Sequence, residues 1–231
     1  MLGLKLPTDP RWVNIAEMNI DDILTDHAFC EQKAASTAIS LIVSFPEYTD
    51  LVKEMIVLVE EEISHFKMVH DLIIDRGMKL GRDRKDNYVT SLLKFFPKGG
   101  SRTTQLIHRL LYAALIEARS CERFRLLSEK LGDKKLAKFY KKLMISEAHH
   151  YTMFLKFARQ YGERKLVDEK WNALLDHEAI IVKGIDQQSK TEILRILERE
   201  QQIILTAKEI ITEQTCELNS FHTVNLEELM P

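Results

Sequence analysis

The sequence predicts an all-α protein that folds as a bundle of long helices. Glycine and proline are scarce, with eight and five residues among 231, so long stretches contain no helix-breaking residue. Apolar side chains recur alternately three and four residues apart over four segments, which is the spacing of helices packed in a bundle. With 45% hydrophobic residues, the chain can bury a large core, and we expect a single domain over residues 1–231.

The four core helices are expected within about residues 20–161. The first begins near Asp21 and ends before Pro46, and the second runs from about Tyr48 to Arg76. Because only a few residues connect them, these two helices form an antiparallel hairpin.

The third and fourth helices form a second hairpin. They are expected at about 104–131 and 134–161, joined by Gly132 and Asp133. Residues 77–103 then link the two hairpins as one long crossover. Outside the core, peripheral C-terminal helices are expected within about 166–215, at 167–185 and 191–215.

Two Glu-x-x-His pairs lie on the second and fourth helices, 85 residues apart. Residues three apart on a helix project from one face, so each pair can address one metal ion. Each pair follows a lone glutamate, by 31 residues in the first copy and 30 in the second, and all six positions fall on the inward apolar stripes. The six predicted metal ligands are Glu31, Glu62, His65, Glu117, Glu147 and His150.

Four carboxylates and two imidazoles from four helices are the ligand set of ferritin-like dimetal proteins, whose bundles contain one long crossover. Four carboxylates balance the charge of two divalent cations, and the neutral imidazoles add ligands without adding charge. The alternative is a chance recurrence of Glu-x-x-His in a chain with 29% charged residues. That alternative would bury four glutamates without neutralisation, which is costly. The sequence therefore favours a dimetal site.

Several polar residues lie near the predicted ligands. His27 and Tyr140 face inward and are candidates for packing or hydrogen bonding next to the ligands, with contact to a substrate as an alternative for His27. Glu60 and Glu61 fall off the inward stripe and are expected in solvent. Glu122 is expected to point away from the site.

The charge of the chain is unevenly distributed. Residues 76–109 have a balance of +7, whereas the rest of the chain carries −9. Tyr88, Phe95 and Phe96 are interleaved with these basic residues, as aromatic residues are in many nucleic-acid grooves. A solvated loop with its aromatic rings packed on the bundle explains the pattern equally well. A second basic run opens the fourth helix, at Lys134, Lys135, Lys138, Lys141 and Lys142.

Three cysteines, Cys30, Cys121 and Cys216, have no metal-ligand spacing, which favours a reduced, cytoplasmic setting. No stretch approaches the length of a membrane span, and the N-terminus does not resemble a signal peptide. We therefore expect no membrane association.

The sequences around the ligands, at 26–38, 60–66, 117–124 and 147–150, resemble the tRNA 2-methylthio-isopentenyladenosine hydroxylases, and the resemblance covers about residues 5–185. It implies a ferritin-like non-haem di-iron monooxygenase that hydroxylates the isopentenyl group of the modified adenosine beside the tRNA anticodon. It also implies the same six ligands for two iron ions, with no catalytic residue beyond them.

Such a reaction uses O2 as co-substrate and an external electron donor, for which we expect a reductase or a ferredoxin. The tRNA anticodon loop is the expected partner, and the candidate contacts in the crossover are Arg82, Arg84, Lys85, Lys94, Lys98 and Arg102. The alternatives are a di-iron hydroxylase of a quinone or acyl substrate and an iron-storage ferroxidase. A radical-generating reductase subunit is disfavoured because Val69 stands four residues after His65, where such proteins have a tyrosine.

Overall fold

A computed structural model describes residues 2–84 and 86–185, and within these residues the chain is helical and contains no strand. The first six helices are α1 (Trp12–Met18), α2 (Ile20–Ser44), α3 (Thr49–Asp75), α4 (Asn87–Leu93), α5 (Arg102–Lys130) and α6 (Lys134–Tyr161). A further helix, α7, covers residues 164–185.

The four long helices confirm the predicted core of two hairpins. α2, α3, α5 and α6 begin and end within two residues of their predicted bounds, and α6 matches at both ends. α7 begins at residue 164 instead of 167. The helix predicted at 191–215 lies outside the described residues. The chain divides into compact units at 1–182 and 183–231, and the expectation of a single domain stays a prediction.

Two short helices were missed by the prediction from sequence. α1 precedes the first core helix, and α4 interrupts the crossover, in which no helix was predicted. α4 starts because the Asp86 carboxylate accepts hydrogen bonds from the backbone N–H groups of Tyr88 and Val89, which is an N-cap. Both helices have seven residues, which is too short for a sustained apolar period.

The two hairpins are α2 with α3 and α5 with α6. The second hairpin begins each of its helices with a cap: Ser101 Oγ accepts from the N–H of Thr104 at 3.1 Å, and Asp133 Oδ1 accepts from that of Leu136 at 3.0 Å. Arg76 also pairs with Asp133, so the end of α3 is tied to the start of α6. Contacts of this kind hold the hairpins in one bundle.

The bundle core consists of two apolar clusters with a polar layer between them. One cluster contains Leu41, Leu51, Met55, Leu110 and Phe154 among others. The other contains Leu24, Val69, Ile73, Leu127 and Leu143 among others. Along every core helix, the chain passes from one cluster to the other across the positions of the predicted metal ligands. The candidate site is therefore enclosed by apolar side chains on both sides.

Candidate metal centre

The structure brings the six predicted ligands together in the middle of the bundle. Each is at most 6% exposed. They form two groups, in each of which one candidate ligand atom per residue lies within 4.8 Å of the others. One group is Glu31, Glu62, His65 and Glu147, and the other is Glu62, Glu117, Glu147 and His150. Because Glu62 and Glu147 belong to both groups, they have the positions of carboxylates shared between two ions.

Both imidazoles turn the same ring nitrogen toward the carboxylates. His65 Nδ1 lies 3.5 Å from Glu31 Oε2 and 3.6 Å from Glu62 Oε2. His150 Nδ1 lies 3.0 Å from Glu62 Oε1 and 4.0 Å from Glu117 Oε2. The Nδ1 atom of each ring is thus the candidate ligand atom.

Several of these atoms are buried but make no hydrogen bond. Among the described residues, no hydrogen-bond partner in good geometry is found for four buried atoms. These are both carboxylate oxygens of Glu62 and the Nδ1 atoms of His65 and His150, although oppositely charged groups lie close by. Leaving such atoms unsatisfied costs about 1–3 kcal/mol each, and more for charged groups. Two cations, one in each group, would satisfy all four atoms, so the residues fit a dimetal site.

The electrostatics of the metal-free site also fit cation binding. Burial raises the pKa of Glu62 to about 7, and it raises the pKa of Glu117 and Glu147 above their ordinary values as well. Burial opposes protonation of His65 and His150, but neighbouring carboxylates outweigh it and raise the pKa of each to about 9. Protons therefore neutralise this cluster when no metal does.

His27 lies where the sequence predicts, next to a ligand. Its Nε2 is 2.5 Å from Glu31 Oε1, and its ring packs at 4.7 Å from Phe124 and 5.5 Å from Tyr140. Burial raises the pKa of Glu31, but the hydrogen bonds with His27 and His65 outweigh burial and hold that pKa below its ordinary value. Tyr140 is fully buried, and its hydroxyl has no hydrogen-bond partner among the described residues. Tyr140 therefore contributes packing here.

Glu61 is exposed to solvent, as the sequence predicts, but it also makes contacts that the sequence did not predict. Its side chain is 44% exposed, yet Oε1 accepts a hydrogen bond from Ser146 Oγ at 2.6 Å and Oε2 lies 3.1 Å from His150 Nε2. Since the Nδ1 of His150 faces the cluster, its Nε2–H donates to Glu61. The contact crosses from α3 to α6, and its only sequence signal is the position of Glu61 one residue before the inward stripe.

Comparison with known families and proteins identifies the family of this chain. The family model of tRNA-(MS[2]IO[6]A)-hydroxylase (MiaE) matches residues 2–192. The chain belongs to this hydroxylase family. A tRNA 2-(methylsulfanyl)-N(6)-isopentenyladenosine(37) hydroxylase from Pseudomonas putida is 35% identical over 185 residues, covering 80% of this chain and 89% of the relative. A hydroxylase of the same name from Salmonella typhimurium is 30% identical and covers 68% and 75%.

A solved structure with a similar fold also matches this chain. Protein 43 with aldehyde deformylating oxygenase activity, from Synechococcus, superposes with a TM-score of 0.73 and is 33% identical. The match covers 77% of this chain and 88% of that structure. The four-helix core is therefore ferritin-like and of an oxygenase type. None of the described helices has the length and apolarity that crossing a membrane requires.

The aromatic residues of the crossover have structural contacts in this member of the hydroxylase family. Tyr88 was considered as a stacking platform for a base, and this is wrong, because the residue is buried and its hydroxyl donates to Glu178 Oε1 at 3.0 Å. Phe95 and Phe96 are half-buried and pack edge-to-face at 5.1 Å. Phe95 also packs at 5.3 Å from His177 and Phe96 at 5.0 Å from His108, so the rings attach the crossover to α7 and α5.

Tyr88 belongs to a second buried polar cluster, which the sequence did not predict. Arg119 is 2% exposed and pairs with Glu178 at 2.6 Å and with Glu122 at 2.5 Å. Thr8 donates to Glu122 through its N–H at 2.8 Å and its hydroxyl at 2.6 Å. The cluster links the N-terminal segment, α4, α5 and α7. It confirms that Glu122 points away from the candidate metal centre.

The basic candidates in the crossover do not form one compact patch. Arg84 makes a bidentate salt bridge with Asp22 at 2.7 and 2.9 Å, and Arg102 makes one with Glu47 at 2.9 and 3.0 Å. Asp22 lies at the start of α2 and Glu47 just after its end, and the 25 residues of this helix span about 37 Å. Arg82, Lys94 and Lys98 are exposed and have no carboxylate partner among the described residues, and Lys85 lies outside those residues.

Proposed function

We propose that the protein is a non-haem di-iron monooxygenase that hydroxylates the isopentenyl group of 2-methylthio-isopentenyladenosine in tRNA. The single observation that supports this most is the pair of four-residue groups sharing Glu62 and Glu147. Family membership supports the substrate, since both relatives are named as hydroxylases of this nucleoside in tRNA. Because tRNA is the substrate, we expect the protein to act in the cytoplasm.

Two iron ions would be held by the residues of the two groups. Glu31 and His65 would serve one ion, Glu117 and His150 the other, with Glu62 and Glu147 available to both. Oxygen-rich ligation with two imidazoles suits iron. When bound, such a pair of ions activates O2 toward an unreactive C–H bond.

The overall reaction requires reducing equivalents from outside. One atom of O2 enters the C–H bond of the isopentenyl group to give an alcohol. The other is reduced to water, which consumes two protons and two electrons, the electrons coming from an external donor. We expect that donor to be a reductase or a ferredoxin.

The protein's own residues supply geometry and a dry environment. The apolar clusters on both sides of the centre exclude water, which strengthens the electrostatic interactions inside. The Nε2–H of His150 is held by Glu61, and the carboxylate of Glu31 is held by His27, at 3.1 and 2.5 Å. Fixed tautomers and orientations of this kind raise the affinity and precision of a metal site.

The anticodon loop of tRNA must reach this centre for the reaction to occur. The six basic candidates in the crossover are still our proposal for the contacting residues, and Arg82, Lys94 and Lys98 have the strongest case because no carboxylate among the described residues neutralises them. The adenosine must also leave the base stack of the loop to bring its isopentenyl group to the metal centre.

The proposal is tested by mass spectrometry of tRNA nucleosides. tRNA that contains 2-methylthio-isopentenyladenosine is incubated with iron-loaded protein, a chemical reductant and O2. We expect the nucleoside to gain one oxygen atom with wild type and with Glu60→Ala, and to remain unchanged with Glu62→Ala. Glu60 is the matched control because it is an exposed glutamate on the same turn of α3.

Three outcomes count against the proposal. If iron-loaded wild type leaves the nucleoside unchanged, the proposed tRNA hydroxylation is contradicted. Conversion of an aldehyde in a parallel incubation, with no change in tRNA, points instead to the activity named for the solved structure. Iron uptake far above two ions per chain indicates iron storage.

A further inference from the structure

The external surface of the bundle comes close to the candidate metal centre between α3 and α6. Glu61 is 44% exposed, and it contacts both Ser146 and His150. One hydrogen bond therefore separates a solvent-accessible carboxylate from a candidate metal ligand. We call the surface around Glu61 the α3/α6 face.

The α6 side of this face is basic. Lys135, Lys142 and His149 recur every seven residues and so share one stripe along the helix. Lys142 Nζ lies 3.8 Å from the sulfur of Met68 on α3, which places this stripe beside α3. Lys138 and Ile145 form the adjacent stripe. None of the three lysines has a carboxylate partner among the described residues, and all are exposed.

Exposed aliphatic residues accompany these charges. On α6, Ile145 is 51% exposed and lies one residue before Ser146, which contacts Glu61. On α3, Val57 is 57% exposed and lies one turn before Glu61. Apolar residues close to a basic stripe are typical of a protein-binding surface, in which an apolar centre is bordered by charges.

We propose that the α3/α6 face docks a small acidic electron-carrier protein, which delivers the two electrons of the reaction near Glu61 and His150. This inference rests on the proposed function, because that reaction needs an external donor. A one-electron carrier docks twice per turnover, and each docking oxidises one carrier molecule. Lys142 and Lys138 lie four and eight residues before Ser146, or about 6 and 12 Å along the helix, so a carrier held by them covers Glu61.

The same basic stripe could also attract tRNA, but the geometry favours a redox protein. A nucleoside must enter the bundle to react. Here the contacts of Glu61 with Ser146 and His150 block access between α3 and α6, and the candidate ligand His150 is only 4% exposed. An electron carrier needs only proximity to the surface.

The test measures electron delivery by a defined probe, a reduced acidic [2Fe–2S] ferredoxin, with a reduced acidic flavodoxin as a second probe. Stopped-flow spectroscopy follows oxidation of the probe by the iron-loaded protein. We expect a second-order rate constant that falls as salt is raised, because complementary charges steer association. The variant Lys135→Glu/Lys138→Glu/Lys142→Glu should lower that constant at least tenfold at low salt.

A matched variant controls for the change in net charge. Lys79→Glu/Lys130→Glu/Lys165→Glu makes the same charge change at exposed lysines that have no carboxylate partner among the described residues and lie on neither α3 nor α6. It should leave the rate constant within about twofold of wild type, after allowing for the general effect of net charge. Titration calorimetry of the metal-free proteins with the oxidised probe should show the same order of affinities, independently of any turnover.

The outcomes separate this inference from the proposed function. tRNA hydroxylation driven by dithionite with a small mediator bypasses docking, so its failure in wild type counts against the proposed function alone. The docking inference is overturned if neither probe is oxidised faster by wild type than by the α3/α6 variant. It is also overturned if the α3/α6 variant loses tRNA binding while its oxidation of the probes is unchanged, since the face then binds RNA.

Discussion

Glu61 Oε2 lies 3.1 Å from His150 Nε2, on the side of the imidazole opposite the candidate metal centre. A carboxylate in this position fixes the tautomer of a histidine ligand and makes its other nitrogen a better donor to a metal. Because Glu61 is half-exposed, it also connects the centre to the protein surface. The ligand set alone does not reveal this connection.

Removing this carboxylate should weaken metal binding. We expect Glu61→Ala to lower iron affinity by about 10-fold or more, because loss of such an outer partner typically costs 10–100-fold. Glu61→Gln should cost less, since its amide oxygen can still accept from His150. Competition with a coloured chelator measures both affinities. Glu60→Ala is the control, and an equal affinity of Glu60→Ala and Glu61→Ala would contradict the assigned contact.

Metal stoichiometry should distinguish shared from unshared ligands. We expect about two irons per chain in wild type and a loss of both in Glu62→Ala or Glu147→Ala, because each residue belongs to both groups. Glu31→Ala and Glu117→Ala should each retain about one iron. Elemental analysis after gel filtration gives the ratio. If Glu62→Ala or Glu147→Ala still binds two irons, the substituted residue is not a ligand shared by both ions.

Metal affinity should rise with pH. In the metal-free protein, burial raises the pKa of Glu62 to about 7, and the neighbouring carboxylates raise the pKa of His65 and His150 to about 9. Metal binding must displace protons from these groups, so raising the pH toward 9 favours the bound state. Calorimetry in buffers of different ionisation enthalpy counts the released protons. An affinity that is constant between pH 6 and pH 8 would contradict this account.

Bound metal should also stabilise the fold. At a free concentration of 100 times the Kd, one site adds about 2.7 kcal/mol to the free energy of unfolding. For a protein of this size, that corresponds to a rise in Tm of roughly 5–10 °C. Differential scanning calorimetry with and without ferrous iron under anaerobic conditions measures it. Equal Tm values would indicate that the cluster is not a metal site of useful affinity.

The core helices and the metal ligands could be predicted because they repeat regularly. The strict alternation of three and four residues indicates that Ala34 and Leu72 face inward, whereas the structure buries Ala35 and Ile73. A straight helix has 3.6 residues per turn, so its inward stripe drifts from a 3.5-residue repeat over several turns. The six candidate ligands still fall on the buried side of their helices, and their role as metal ligands stays a prediction.

The contacts missed by sequence analysis join segments with no common period. Glu178 lies 59 residues from Arg119 and 90 from Tyr88, and nothing in the local pattern of either segment indicates the pairing. Glu61 was missed for a related reason. It lies between the inward and outward faces of α3, and only the placement of α6 decides which neighbour it contacts.

The buried cluster around Arg119 should be important for stability. We expect Arg119→Met to lower the free energy of unfolding by about 3–5 kcal/mol, because it leaves Glu178 and Glu122 buried without their cation. Tyr88→Phe removes one donor to Glu178 and should cost about 1–2 kcal/mol. Urea denaturation measures both changes. A loss below 1 kcal/mol in Arg119→Met would show that the cluster is hydrated in solution.

Binding of tRNA should depend on the basic residues of the crossover that no carboxylate neutralises. Arg82, Lys94 and Lys98 are exposed without such a partner among the described residues, whereas Arg84 is held by Asp22 at 2.7 Å. We expect Arg82→Gln, Lys94→Gln and Lys98→Gln each to weaken tRNA binding more than Arg84→Gln does. Each lost phosphate contact should lower the slope of log affinity against log salt by roughly 0.7–0.9. Filter binding over a salt series gives affinity and slope, with iron content as the check on folding. If all four variants bind tRNA as wild type does, the crossover is not the tRNA surface.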